Sequence, residues 1–220
     1  MAINLDASSL TMEDVYRLLK FEEQLNDSIN SLLTLEPLTE LEHQEVLKIR
    51  EVFRSYHNAG KVSEGQIRLL PIAQLLWFSG FYQPHIKINL EEGIAQIYVE
   101  DEDTIIKGRM DILAVTRVQN RITITPFWIL LIETKNSTID ALEGLPQLLT
   151  YAYKSLDEQA AVWGLTTNGM NYQFLYIQRG EHPTYQLLPE LSLIRPEQTI
   201  QLLQVLKAIC KLYQQPQPVA

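Results

Sequence analysis

Two stretches of this sequence carry side chains that do chemistry when they meet. Asp111 stands in Gly108-Arg109-Met110-Asp111-Ile112-Leu113, and Glu133-Thr134-Lys135 closes the apolar run Trp128-Ile129-Leu130-Leu131-Ile132. Glu-x-Lys alone arises by chance about once in 280 positions, so its place at the end of an apolar strand carries the weight. Residues two apart on a strand share a face, which aims Glu133 and Lys135 together and Thr134 away. Pairing of 110–117 with 121–135 around Val118-Gln119-Asn120 sets Asp111 beside Glu133. Two carboxylates about 4 Å apart repel by roughly 4 kcal/mol at an effective dielectric near 20, so they titrate high or share a cation. Mg2+ takes a few carboxylate oxygens together with water and phosphate, which points to phosphate-ester hydrolysis, with Lys135 steadying the attacking water or the developing charge. The alternative for the same residues is a strand-end acid at a turn and an exposed cross-strand ion pair.

Those side chains need elements to hold them. Val15, Leu18, Leu19, Leu25, Ile29 and Leu32 recur at helical spacing after Thr11 and predict a long first helix. Thr39 and Glu42 form a capping box for a second helix ending at Asn58-Ala59-Gly60, and Ser63 caps a third over 64–79. From Gln83 the period becomes two, predicting strands over 85–90, 94–99, 105–115 and 122–133, with the acidic run 100–103 as a solvated hairpin tip. A helix over 139–156 has Pro146 near its start, strands 161–167 and 172–177 flank an Asn168-Gly169 turn, and a helix spans 191–212. The expected fold class is α/β, a mixed central sheet flanked by helices. The expected organisation is an N-terminal helical extension over 1–60, a core over 61–213 and a loose tail over 214–220.

Composition narrows the classes. With 46% hydrophobic and 20% charged residues, the chain is a folded globular protein and not a disordered or repetitive one. It has no apolar run of about 18 residues and no basic-then-apolar leader, so neither membrane insertion nor targeting is expected. Cys210 is the only cysteine and no CxxC or paired His and Cys spacing exists, which argues for a reducing cytoplasmic compartment and against structural zinc. The net charge of −9 opposes bulk coating of nucleic acid. The excess acid nevertheless sits in 1–60, with 11 acidic and 5 basic residues, whereas 61–135 carries 9 and 8 and remains open to a polyanion. No G-x-S-x-G supports a serine hydrolase, and no G-x-x-x-x-G-K-[ST] supports an ATP-driven motor.

In order along 60–180, Ser63-Glu64 opens a helix that ends at Gly80-Phe81, Asp111 follows, then Glu133 and Lys135. Gln147 and Tyr151 then share a helix, and Val162-Trp163-Gly164-Leu165-Thr166-Thr167-Asn168-Gly169 ends a strand. This series resembles the PD-(D/E)XK nuclease superfamily, most closely the nuclease domains at the N-termini of type I restriction enzyme motor subunits. Met110 stands where that family carries proline, and the motor itself has no counterpart here. The resemblance implies a restriction endonuclease-like core and a Mg2+-dependent DNA endonuclease, Mn2+ being able to substitute. It implies metal ligation by Asp111, Glu133 and Glu64, catalysis by Lys135, and support from Gln147 and Tyr151. Lys107 and Arg109 alternate along the strand with Asp111 and are candidates to face phosphate. A homodimer suits a double-strand cut, and restriction or mobile-element subunits are the implied protein partners. The alternative is a catalytically inactive nuclease-fold module that binds nucleic acid or a protein partner.

Overall fold

The structure, a computed structural model, describes residues 3–25, 28–117 and 127–213. Its centre is an eight-stranded mixed sheet in the order β2-β10-β9-β8-β7-β6-β3, with β11 also pairing β9. Here β2 is Glu22–Glu23, β3 Ile86–Gly93, β6 Arg109–Thr116, β7 Trp128–Thr134, β8 Ala161–Thr167, β9 Asn171–Gln178, β10 Thr184–Leu187 and β11 Leu191–Ser192. β1 (Ile3–Asp6), β5 (Thr104–Lys107) and β4 (Ile97–Val99) form a second, three-stranded sheet. The central strands are apolar on both faces because helices cover both. Ile112, Ala114, Leu130 and Ile132 face α2 (Glu40–Ala59), α4 (Ala73–Ser79) and α6 (Pro196–Leu212). Leu113, Val115 and Leu131 face α1 (Met12–Leu19) and α5 (Leu145–Ser155). Among the described residues no helix is long and apolar enough to cross a membrane.

Local rules placed most ends. Thr39 and Ser63 each cap their helix reciprocally with the residue three on, Glu42 and Gln66. Asn168 Oδ1 accepts from the Met170 and Asn171 amides around Gly169, whose φ of +86° suits glycine.

Several elements depart from the sequence reading. The first helix ends at Leu19 instead of continuing to Leu32, because Lys20 turns left-handed and the chain then adds β2 beside β10. With β1 paired to β5, the 1–60 segment is stranded as well as helical. The 64–79 helix is interrupted: α3 (Glu64–Ile67) passes through a π-helical turn, Arg68–Ile72, before α4, and the turn accommodates Pro71, which has no N–H to donate. The 105–115 strand splits at Gly108 into β5 and β6, which belong to different sheets. Similarly, 191–192 is a strand, and the last helix starts only at Pro196. The 118–120 turn, the strand start at 122–126 and the 214–220 tail lie outside the described residues.

A side chain at Gly108 would put its Cβ 2.7 Å from the Tyr151 ring and 2.9 Å from Ala7 Cβ. Gly108→Ala is therefore expected to cost about 1–3 kcal/mol by overpacking. A thermal melt lower by several degrees checks this; an unchanged melting temperature would show that the segment yields.

Candidate active site

β6 and β7 run antiparallel with Ile112 opposite Ile132, so the next step of the ladder sets Asp111 level with Glu133, as the sequence spacing implied. Asp111 Oδ2 accepts from the Thr134 amide at 2.8 Å and its hydroxyl at 2.5 Å. Thr134, which alternation directs away from Glu133, is thus what orients Asp111. β7 lies parallel to β8, and the Lys135 amide extends that ladder by donating to Thr167 O at 2.8 Å. The sheet therefore holds the backbone on both sides of the Glu-x-Lys pair.

Glu133 and Lys135 share a face as expected, with Nζ 3.0 Å from Glu133 Oε1. The ammonium also donates to Gln147 Oε1 at 2.9 Å. Gln147 and Tyr151, one turn apart on α5, complete a relay: Gln147 Nε2 donates to the Tyr151 hydroxyl at 2.7 Å, and that hydroxyl donates to Arg109 O at 2.9 Å. Lys135 is thus aimed by two partners, one of them itself fixed. Gly144 lies over the pair, and a Cβ there would come within 3.0 Å of Glu133 Cγ and 3.5 Å of Lys135 Cε.

Glu133 is only 3% exposed, and its Oε2 finds no hydrogen-bond partner among the described residues. Burial, then the Asp111 charge, push its carboxyl up to about 8, and Lys135 opposes them only in part. Glu64 adds to the upward push, which places its charge in the same field.

Asp111, Glu133, Lys135, Gln147, Tyr151 and Glu64 line one open, polar cleft of about 670 Å³, together with Asp6 at the end of β1 and Ser8 just after it. Glu64 opens α3 on its wall, but the structure does not gather it into a three-acid cluster with Asp111 and Glu133. Among the described residues no group of three or more His, Cys, Asp or Glu is arranged for a metal. The member of that helical segment that reaches Asp111 is Arg68, one turn on, whose Nη1 lies 3.3 Å from Oδ1 and 3.2 Å from Glu91 Oε1. Arg109 closes the chain of charges at 3.4 Å from Glu91 Oε2. Lys107 is exposed and is not part of the cleft lining. The 100–103 run is the tip between β4 and β5, largely exposed.

Arg68, Glu91 and Thr134 are the residues that sequence reasoning passed over. Glu91 had a local sign only in the structure: its φ of +52° is left-handed, a cost of order 1–3 kcal/mol for a non-glycine residue, and such strain concentrates at working sites. No family model matches the chain, and no curated protein matches it.

The donor set fits a hard divalent cation. Of the five carboxylates lining the cleft, Asp111 and Glu133 sit level on neighbouring strands, Glu133 with a buried oxygen lacking a partner among the described residues, and Mg2+ is ordinarily held by one or two carboxylates plus waters and substrate phosphate. Asp111 Oδ1 is the contested position, since Arg68 faces it.

Proposed function

We propose that this protein is a Mg2+- or Mn2+-dependent nuclease with a restriction endonuclease-like core that hydrolyses DNA phosphodiester bonds. The observation that carries this reading is the Lys135 ammonium pinned between Glu133 and Gln147 in the same open cleft as Asp111. Asp111 and Glu133 would hold the ion, with Glu64 on the wall of the same cleft. Bound there, the ion supplies Lewis acidity and an acidified water. Lys135 keeps an N–H for the cleft and meets negative charge as it develops on the phosphoryl oxygens; a donor aimed in advance needs no reorganisation. Gln147 and Tyr151 hold that aim. With an ion held there, Arg68 would have to yield Asp111 Oδ1 and would keep Glu91 as its partner. The cation also answers the acidity of the cleft, which would otherwise repel a phosphate backbone.

Thermal melts with added Mg2+ or Mn2+ test the metal site directly. At about ten times the dissociation constant, an ion bound only by the folded state adds roughly 1.4 kcal/mol. For a chain of this size that is a rise of about 3–6 °C. Asp111→Asn is expected to lose the rise while keeping the Thr134 contact. A wild-type melt indifferent to both ions, with no heat on calorimetric titration, overturns the reading in favour of a non-catalytic binding module.

A further inference from the structure

We infer that the apolar pocket beside the acidic cleft receives one unstacked nucleobase of the strand whose phosphate lies in the cleft, which makes single-stranded or frayed nucleic acid the preferred substrate. This rests on the nuclease reading above. The pocket measures about 340 Å³, near the lower end of the ~300–1,000 Å³ typical of small-ligand sites. It is large enough for a base and too small for a helix. Leu69, Tyr82, Ile88, Leu90 and Ile112 line it, and its charged members, Arg68 and Glu91, also line the acidic cleft. Pocket and cleft are therefore two halves of one groove meeting at that ion pair.

The chemistry of the walls selects the occupant. An apolar slot bounded at one end by a guanidinium, which only donates, and a carboxylate, which only accepts, suits a planar heterocycle with apolar faces and an edge bearing both kinds of group. The surroundings are apolar too: Leu69 is 70% exposed, Leu90 65%, Tyr82 47%, and Trp77, 65% exposed, packs on Tyr82 with ring centroids 5.7 Å apart. Single exposed apolar side chains need no explanation, but this group around one pocket does, and aromatic rings are what unstacked bases lie on. The π-helical turn that delivers Arg68 and Leu69 is the kind of irregularity that accompanies functional sites. A base inside a duplex cannot enter without leaving its stack, hence the preference for an open strand.

The test is fluorescence anisotropy of the full chain with a labelled 12-nucleotide single strand and with its blunt duplex, in Ca2+ buffer. The single strand is expected to bind about 10-fold tighter. Tyr82→Ala and Leu90→Ser, both at exposed positions and checked for folding by circular dichroism, are each expected to weaken it by about 10-fold and to leave duplex binding unchanged. Equal affinity for the two DNAs, or a single strand bound as well by both variants, overturns the pocket. So does self-association lost in Tyr82→Ala without oligonucleotide binding, which would assign the patch to a protein interface. If no DNA is cleaved but Tyr82-dependent strand binding persists, the nuclease reading fails and the pocket stands. If single-stranded DNA is cleaved equally by wild type and Tyr82→Ala, the pocket fails and the nuclease reading stands.

Discussion

Lys135→Ala is expected to fold as the parent does and to lose at least about 100-fold in DNA cleavage, with the loss in kcat and not in KM. The magnitude follows from what a single donor aimed at developing charge contributes in a preorganised site, ~10²–10³ in rate. The split follows from timing, because an interaction made only in the transition state lowers kcat and kcat/KM together. Folding is expected to survive because the Lys135 backbone amide, not its side chain, continues the β7–β8 ladder, and the ammonium borders an open cleft. Alanine leaves Gln147 its second partner, Tyr151. The matched control is Gln147→Leu, which removes one of the two groups aiming the ammonium and is expected to give a smaller loss, about 10-fold. Single-turnover assays with Mg2+ on single-stranded and duplex DNA provide the measurement. A Lys135→Ala variant that cuts at the parental rate would remove the lysine from the reaction and leave the Glu133 contact as an ordinary ion pair.

How far the sequence anticipates this site depends on the range of each interaction. Asp111, Glu133 and Lys135 converge as their alternation implies, because strand period and antiparallel pairing are short-range rules acting in an uninterrupted apolar run. The caps at Thr39 and Ser63 and the turn at Asn168-Gly169 are equally local. Arg68 is different: it lies 43 residues from Asp111, and apolar periodicity says which face of a helix is buried, not where an arginine on its margin reaches. Glu64 was the plausible acid of that segment, yet the π-helical turn follows it and Arg68 makes the contact. The N-terminal overrun has the same origin, since Leu25, Ile29 and Leu32 keep helical spacing, but Leu25 ends up exposed, and β2 forms only because β10 lies beside it. Strands of two to four residues, such as β2, β10 and β11, are too short to show a period of two. Gly108 breaks a continuous strand pattern for a tertiary reason, the close passage of Tyr151.

Glu133→Gln is expected to move activity and stability in opposite directions, abolishing cleavage while raising the melting temperature of the metal-free protein at alkaline pH. The buried carboxyl titrates near 8 instead of its ordinary 4.5. Between those values the native state holds a proton that the unfolded chain has released, so stability falls as pH rises through the interval and levels off above about 8. Glutamine carries no such proton. The advantage of the variant should therefore be negligible near pH 4, grow from pH 5 to 8 and plateau beyond. Loss of the Lys135 contact offsets part of it, but burial and Asp111 together outweigh Lys135, which fixes the sign. An unpaired buried polar group costs of order 1–3 kcal/mol, so a plateau of a few degrees is expected. Saturating Mg2+ should narrow the gap, because the ion relieves the same repulsion in the wild type and finds one ligand fewer in the variant. Melts at pH 5, 7 and 9, with and without Mg2+, separate the two accounts of this pair. A site that trades stability for ion binding gives a variant more stable at pH 9, whereas a structural Glu133–Lys135 bridge gives a variant less stable at that pH and no response to the ion.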